Sequence, residues 1–348
     1  MRRRQLAMFK DILQKCISGE HLSEIEAKSV MDEIMTGTAT HSQIASLLTL
    51  LRFRGETLEE MVGFAKSMKE HAISIPHNEK GVIDTCGTGG DHAKTFNIST
   101  AAAIVLSSLG VTVAKHGNRS VSSNSGSADV LEHLNIDIQT TPEEAALVLE
   151  EKKMSFLFAP LYHVAMKNVA TPRKELGFRS IFNLLGPLTN PANAEAQLIG
   201  VFDEKYGELM AQTLRELGVK RAMLVTGAEG LDEISIGTNT FVTELKDGEI
   251  TKYVLTPEEV SLSRGPLSDI QVKTPLESAN MILNVFQNGK NEAARNIVAF
   301  NAGAGLYIAG KVSSIKDGVQ EAQRALMNGT VYNQFTNLQA KKVEKIDA

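Results

Sequence analysis

The sequence predicts an α/β protein: a small helical N-terminal domain followed by a larger α/β domain with a mostly parallel sheet. Three observations carry this reading. The first 75 or so residues hold three capping-box patterns, each ahead of an amphipathic run. From Gly81 onward, short β-type runs alternate with helical runs. Loops rich in glycine and hydroxyl residues fall where those β-type runs end, the place where α/β folds hold ligands.

The capping boxes run from Ser23 to Glu26, Thr40 to Gln43 and Thr57 to Glu60. Each hydroxyl is placed to accept from the N3 amide of a helix. After Thr40, apolar residues recur at Ile44, Leu47, Leu48 and Leu51, which is helical spacing. Helices this short and this apolar are expected to pack on a partner helix, in this chain or in a second copy.

The pattern then changes. "GVIDTCGTGGD" is a β-type run ending in a glycine-rich turn. "STAAAIVLSSLG" reads as a buried helix starting near Ser99 or Thr100, with Gly110 at its C-cap. "VTVAK", "FLFAP" and "RAMLVTG" read as strands, and "SADVLEHL" and "YGELMAQTLRELG" as helices. Residues 240–275 hold short β-prone pieces and loops. "NEAARNIVAFNAGAGLYIAG" and "GVQEAQRALMNG" are late helices, and no tandem repeat is visible.

Bulk properties exclude several classes. The chain has 348 residues, 43% of them apolar, enough for a substantial core. A net charge of -5 lacks the cationic excess of a broad nucleic-acid binder. Cys16 and Cys86 form no CxxC pair and read as reduced thiols of a cytoplasmic protein. The basic start "MRRRQLAMFK" reads as a solvated end, because Lys10 and Asp11 cut off any signal-type apolar run. No window approaches the roughly 18 apolar residues of a membrane span.

Three loops share one logic. The first, Gly87 to Thr100, follows a strand and enters a helix. Its glycines let amides approach a ligand, and a helix N-terminus favours anions. No Gly-Lys-Ser/Thr follows, and the third glycine of a dinucleotide fingerprint is missing. Alone, the loop reads equally well as a tight turn. The second, "KHGNRSVSSNSGSADVLE", lies between a strand and a helix, so it is not an interdomain linker. Its Lys115, His116 and Arg119, with Ser120, Ser122, Ser123 and Ser127, suit phosphate oxygens; Arg119 alone also reads as the partner of an acid. The third, "GAEGLDEISIGTNT", carries adjacent Asp232 and Glu233. These read either as Mg²⁺ ligands shared with substrate phosphates or as a solvated acidic turn. The intervening "GAEG" separates the loop from the diphosphate loop of type I phosphoribosyltransferases. Together the loops describe a polyanionic, magnesium-bound ligand and leave the second substrate open.

In this order, "GTGGD…TFNIST", "KHGNR…SGSADVLE", "RKELGFRSIFNLLGPLTNP" and "GLDEIS" resemble the anthranilate phosphoribosyltransferases over essentially the whole chain, including "NAGAGLY". The resemblance implies transfer of the phosphoribosyl group of phosphoribosyl diphosphate to anthranilate, giving N-(5-phosphoribosyl)anthranilate and diphosphate, the second step of tryptophan biosynthesis from chorismate. It implies a nucleoside phosphorylase/phosphoribosyltransferase type of fold. Residues 1–75, with 171–191 returning to them, would form the helical domain, and 76–170 and 192–348 the α/β domain. It also implies two Mg²⁺ ions, a cytoplasmic homodimer joined through the helical domains, and hinges near 75–80 and 171–191.

By position, the resemblance gives Gly87, Gly90, Asp91, Thr95, Asn97, Ile98, Ser99 and Thr100 to the diphosphate and ribose, with Ser99 also on a metal. Lys115, His116, Gly117, Asn118, Arg119, Ser120, Val121, Ser122, Ser123 and Ser127 would embrace the phosphoribosyl group, Lys115 and His116 in catalytic roles. Asp232 and Glu233 would hold metal. Gly87, Asn118, His163 and Arg173 would line the anthranilate path, a guanidinium being suited to a benzoate carboxylate. His163 also reads as a core histidine.

The chain departs from the family at several places. Tyr162, His163 and Val164 stand where His-His-Pro is frequent, Asn124 where Lys is, Thr226 where His is, and Ser180 where Thr is. Tyr162 and Val164 bear on the acceptor channel. The implied chemistry is displacement at ribose C1 with inversion, driven by electrostatics and positioning. An aniline nitrogen is neutral at pH 7, so no strong base is required. Two other readings are a nucleoside phosphorylase on the same fold, which phosphorolysis without Mg²⁺ would favour, and a non-enzymatic nucleic-acid binder, which a DNA shift would favour.

Overall fold

The computed structural model describes residues 2–91, 93–119 and 125–340, with side chains from Phe9 onward. Four helices open the chain: α1 (Arg2–Ile17), α2 (Glu24–Met35), α3 (His41–Arg54) and α4 (Leu58–Glu70). The capping boxes at Ser23, Thr40 and Thr57 all form, hydroxyl to N3 amide and N3 side chain back to the cap amide. Each such cap contributes about 1 kcal/mol. Ile44, Leu47, Leu48 and Leu51 form one buried stripe of α3.

A seven-stranded sheet follows. Its strands are β1 (Ile83–Gly87), β2 (Val113–Gly117), β3 (Met154–Phe158), β4 (Ala196–Gly200), β5 (Arg221–Gly227), β6 (Thr240–Lys246) and β7 (Glu249–Leu255). The spatial order is β3-β2-β1-β4-β5-β6-β7. The first five run parallel. The last two add antiparallel, so the β-prone pieces after residue 240 become a full hairpin of the sheet.

The intervening helices are α5 (Ile98–Ser108), α6 (Ser127–His133), α7 (Pro142–Lys152), α8 (Ala159–Tyr162), α9 (Lys167–Leu176), α10 (Ile181–Leu185) and α11 (Gly207–Glu216). After the sheet come α12 (Pro275–Phe286), α13 (Glu292–Ile308), α14 (Ile315–Met327) and α15 (Thr330–Leu338).

Side chains alternate across a strand, and here the alternation divides two cores. Leu198, Met223 and Val225 join α5, α13 and α14 on one face. Ile199 and Leu224 join α1–α4, α11 and the α9–α10 passage on the other. The sheet is thus buried on both faces, as parallel strands require. Parallel strands also put their C-terminal ends on one edge, and β1, β2, β4 and β5 all finish there in glycine.

Candidate active site

A cavity of about 800 Å³ opens over that edge. The β1–α5 loop forms one wall. Helix α5 starts at Ile98, beside the Ser99 or Thr100 expected near its start, and its N-cap is Asn97, whose carboxamide oxygen accepts from the Thr100 amide at 3.1 Å. That cap commits the Thr100 amide, and the Ser99 hydroxyl also donates to the Asn97 carboxamide oxygen at 3.4 Å. Ile98 and Thr100, which the resemblance gives to the diphosphate and ribose, are fully buried and do not line the cavity. Gly87, Gly90, Asp91, Thr95, Asn97 and Ser99 do line it.

Lys115 comes from the middle of β2, pointing across the sheet rather than into solvent; it is 1% exposed. Its ammonium donates to the Thr85 carbonyl and to Ser99 Oγ at 3.1 Å. Burial lowers its pKa, and Asp84, Cys86 and Glu233 oppose that. The next residue, His116, is held by its amide, which donates to Asp84 Oδ1 at 3.1 Å. Asp84 is itself fixed by Asn190 Nδ2 at 2.7 Å. Burial raises the Asp84 carboxyl to about 6.

Asp232 and Glu233 lie in the β5–β6 loop and close the cavity floor. Asp232 Oδ2 accepts from the Gly89 amide at 2.9 Å, and Glu233 Oε1 from the Ser99 amide at 3.0 Å. Close approach explains two glycines. A Cβ on Gly87 would lie 2.9 Å from Asp232 Oδ2, and one on Gly200 would lie 1.6 Å from the Asp232 carbonyl oxygen. Burial first, then Asp91 and Glu233, push the Asp232 carboxyl well up. Burial raises Glu233 to about 8, with Lys115 pulling the other way. Acids crowded in this way are what a divalent cation relieves. Among the described residues, no three His, Cys, Asp or Glu side chains converge to hold an ion unaided. Such a donor set fits Mg²⁺ that takes further oxygens from a substrate.

The other wall is formed by the segment after β3 and by α9 and α10. His116 and His163 face each other with ring centroids 5.0 Å apart. Burial holds His116 down to about 3 and His163 to about 4, so both rings are neutral. Their Nε2 atoms are buried with no hydrogen-bond partner among the described residues. Arg173, on α9, lies 5.4 Å from the Phe182 ring. Burial lowers its pKa, and no carboxylate among the described residues offsets this. It is a desolvated guanidinium facing a cavity.

Gly117, Asn118, Arg119 and Ser127 also line the cavity. Arg119, however, is committed to Glu132 at 2.6 Å and Asp129 at 2.8 Å, the alternative the sequence left open for it. Ser120, Val121, Ser122, Ser123 and Asn124 lie outside the described residues. Among the departures, Tyr162 is buried while Val164 is half exposed at the cavity. Thr226 donates to the Val201 carbonyl at 2.7 Å and does not line the cavity.

Sequence reasoning assigned no role to Asn183, Gly186 or Thr189, which also line the cavity. The signal was present, since all three stand in "SIFNLLGPLTN". It also missed Arg179, which donates to the Gly90 carbonyl and stacks on Phe202 at 4.2 Å. That contact ties the segment before α10 to the glycine loop.

Residues 79–332 match the model of the glycosyl transferase family, a/b domain, and residues 10–72 that of its helical bundle domain. Helical bundle, sheet and site together define a two-domain glycosyl transferase. The chain is 55% identical over 338 residues to the anthranilate phosphoribosyltransferase of Geobacillus sp. (strain WCH70), covering 97% of this chain and 99% of the relative. It is 58% identical over 331 residues to that of Halalkalibacterium halodurans, covering 95% and 97%. The chain belongs to the anthranilate phosphoribosyltransferase family.

Solved structures agree. The anthranilate phosphoribosyltransferase of Thermus thermophilus superposes with a TM-score of 0.89 at 42% identity, covering 94% of this chain and 97% of that one. The Saccharomyces cerevisiae enzyme in complex with PRPP and Mg superposes at 0.86 with 25% identity, covering 95% and 97%.

Proposed function

We infer that this chain transfers the phosphoribosyl group of phosphoribosyl diphosphate to anthranilate, releasing diphosphate, in tryptophan biosynthesis. One observation carries the assignment of roles: a single cavity joins anion- and metal-type groups to a guanidinium with no carboxylate partner among the described residues and to two neutral imidazoles.

The diphosphate is assigned to the start of α5 and the glycine loop. There Ser99, Asn97 and the amides of Gly87 and Gly90 offer donors, and the helix dipole favours the anion. Lys115 supplies a buried positive charge in a low-dielectric setting, where it acts strongly on the departing group. Asp232, Glu233 and the Ser99 hydroxyl are the groups that would hold Mg²⁺, with Asp91 close by; two ions are part of this reading. Mg²⁺, when bound, neutralises charge gathering on the diphosphate.

Arg173 is assigned to the anthranilate carboxylate, which a guanidinium binds through two parallel hydrogen bonds. His116 and His163, being neutral, offer Nε2 as acceptors for the aniline N–H groups. That would orient the nitrogen lone pair toward ribose C1 while Asn118 and Gly87 bound the path. Displacement with inversion then needs positioning rather than a strong base.

The domain division belongs to the same reading. Val169, Ile181, Phe182 and Leu185 pack in one cluster with α1–α4, which supports 171–191 returning to the helical domain of residues 1–75. A homodimer through that domain is proposed, supported by Phe53 at 92% and Ile25 at 81% exposure on it. A cytoplasmic location is proposed with the pathway; no helix among the described residues is long and apolar enough to cross a membrane.

The test is anthranilate fluorescence in a mixture of the chain, phosphoribosyl diphosphate and Mg²⁺, with an EDTA control. Loss of signal that needs all the components and stops with EDTA is expected. A flat trace from folded chain that binds phosphoribosyl diphosphate would overturn the acceptor. Phosphorolysis of a nucleoside without Mg²⁺ would overturn the reaction class.

A further inference from the structure

The segment "NAGAGLY" has no contact with the cavity, yet it holds a buried amide placed against the acidic loop. Asn301, in the middle of α13, is fully buried. Its Oδ1 accepts from the Ile234 amide at 3.0 Å, and its Nδ2 donates to the Ile234 carbonyl at 3.0 Å. The second Nδ2 hydrogen goes to the Ile297 carbonyl one turn back, at 2.9 Å. One side chain therefore satisfies both backbone groups of Ile234, the residue directly after Glu233.

This clamp meets a specific need. The loop after β5 leaves the sheet ladder and crosses buried space, with Ile234 itself fully buried. Its amide and carbonyl have no strand partner there, and buried backbone groups must be paired. At the tips of the acidic pair, the Gly89 and Ser99 amides hold Asp232 and Glu233. At the root, Asn301 holds the chain.

The helix that carries Asn301 is also keyed to α5, whose N-terminus supplies the Ser99 amide. A Cβ on Gly305 would lie 2.7 Å from Leu106 Cδ1 on α5, and one on Gly303 would lie 2.5 Å from the Val319 amide nitrogen on α14. Residues 301 and 305 are four apart, so they share one helix face. The clamp and the α5 contact are thus set by the same rigid element.

We propose that Asn301 is a positioning residue that fixes the Asp232-Glu233 pair relative to the N-terminus of α5, and so sets the cation affinity of the site. The proposal rests on the assignment of Asp232 and Glu233 as metal ligands. Outer groups of this kind change metal affinity by roughly 10- to 100-fold when altered.

The experiment uses N301D, which keeps an acceptor but loses both donors, and N301S, which keeps one donor in a smaller volume. The control is Val298→Ala, a fully buried neighbour on α13 that makes no side-chain hydrogen bond to Ile234 and does not line the cavity. Binding of Mn²⁺ in the presence of phosphoribosyl diphosphate is read by electron paramagnetic resonance. The Mg²⁺ concentration for half-maximal turnover is read alongside, with thermal unfolding as the stability measure.

We expect at least a tenfold weakening of Mn²⁺ binding and a matching rise in the Mg²⁺ requirement in whichever Asn301 variant folds, with the anthranilate KM within threefold. Val298→Ala should lose stability without moving either metal reading. If the Asn301 variants lose stability but bind Mn²⁺ as the wild type does, the residue only holds the core and the proposal fails. If neither variant folds while Val298→Ala does, Asn301 acts as a stability residue and the positioning role is likewise rejected. If wild-type chain shows no Mn²⁺ binding and no Mg²⁺ dependence, the metal assignment itself fails, which the variants alone cannot mimic.

Discussion

Replacing Arg173 with Ala isolates the acceptor half of the site. The guanidinium lines the cavity, sits over the Phe182 ring and has no carboxylate offsetting its burial. In the free chain its removal relieves a desolvated charge, so stability should hold or rise slightly, less about 0.5–1 kcal/mol of cation–π contact. With anthranilate bound, the same removal leaves a carboxylate unpaired. Truncating one partner of such a pair costs about 2–5 kcal/mol, and partial exposure of Arg173 puts the expectation at the lower end, about 2–3 kcal/mol. At 1.4 kcal/mol per tenfold, the anthranilate KM should rise roughly 30- to 150-fold. Turnover at saturating anthranilate should stay within about threefold, since the group acts equally on ground and transition state. The assay is initial-rate loss of anthranilate fluorescence at fixed Mg²⁺ and saturating phosphoribosyl diphosphate. A KM within threefold of wild type, with normal folding, would refute Arg173 as the carboxylate partner. R173K should recover only part of the loss, because an ammonium cannot make the paired contact.

Lys115→Ala should lower turnover about 100- to 1,000-fold while leaving anthranilate binding, followed by fluorescence, within a few-fold; unchanged turnover would remove its role on the departing diphosphate. G87A should weaken Mg²⁺ activation by roughly tenfold or more, because the new methyl displaces the Asp232 carboxylate it would meet at 2.9 Å; an unshifted Mg²⁺ titration would show that the carboxylate does not bind there. For pH, His163 is neutral in the fold down to about 4 but protonates near 6.5 when unfolded. The unfolded state then binds the extra proton below pH 6.5, so wild type loses stability on acidification that His163→Gln does not. Their stability difference in urea should shift by about 2 kcal/mol between pH 7 and pH 5, in favour of the variant; a constant difference would contradict the buried, neutral ring. Glu233, raised to about 8, must release its proton to a cation. Mn²⁺ affinity measured by calorimetry should therefore climb from pH 6.5 to 8 with proton release, and a flat profile would rule against Glu233 as a ligand.

Much of the local structure was legible in the chain. Ser23, Thr40 and Thr57 marked three helix starts because a capping box is closed within four residues. The strand-and-helix alternation marked the parallel sheet, and loops at strand ends marked the cavity edge, because connection geometry obliges ligand loops to gather there. The cap of α5 was not legible, since Asn97, Ser99 and Thr100 all carry capping side chains and only the backbone path decides which one caps. The hairpin of β6 and β7 was seen only as scattered pieces, because β7 is mostly exposed and β6, though largely buried, sets Thr and Glu among its apolar residues, so neither carries a continuous apolar run.

By itself, then, the sequence determined the helical start, the strands that became β1, β2, β3 and β5, and the family of chemistry, all of which depend on spacings of a few residues or on motifs read in line. The tertiary structure alone decided which groups are charged, free or held. It neutralised His116 and His163 by burial, committed Arg119 to Glu132 and Asp129 while leaving Arg173 without a carboxylate among the described residues, and buried Ile98 and Thr100. It also joined Asp84 to Asn190 and Ile234 to Asn301 across 106 and 67 residues. The physical reason is that solvation and long-range pairing are properties of packed neighbours, and no neighbour of that kind is visible along the chain.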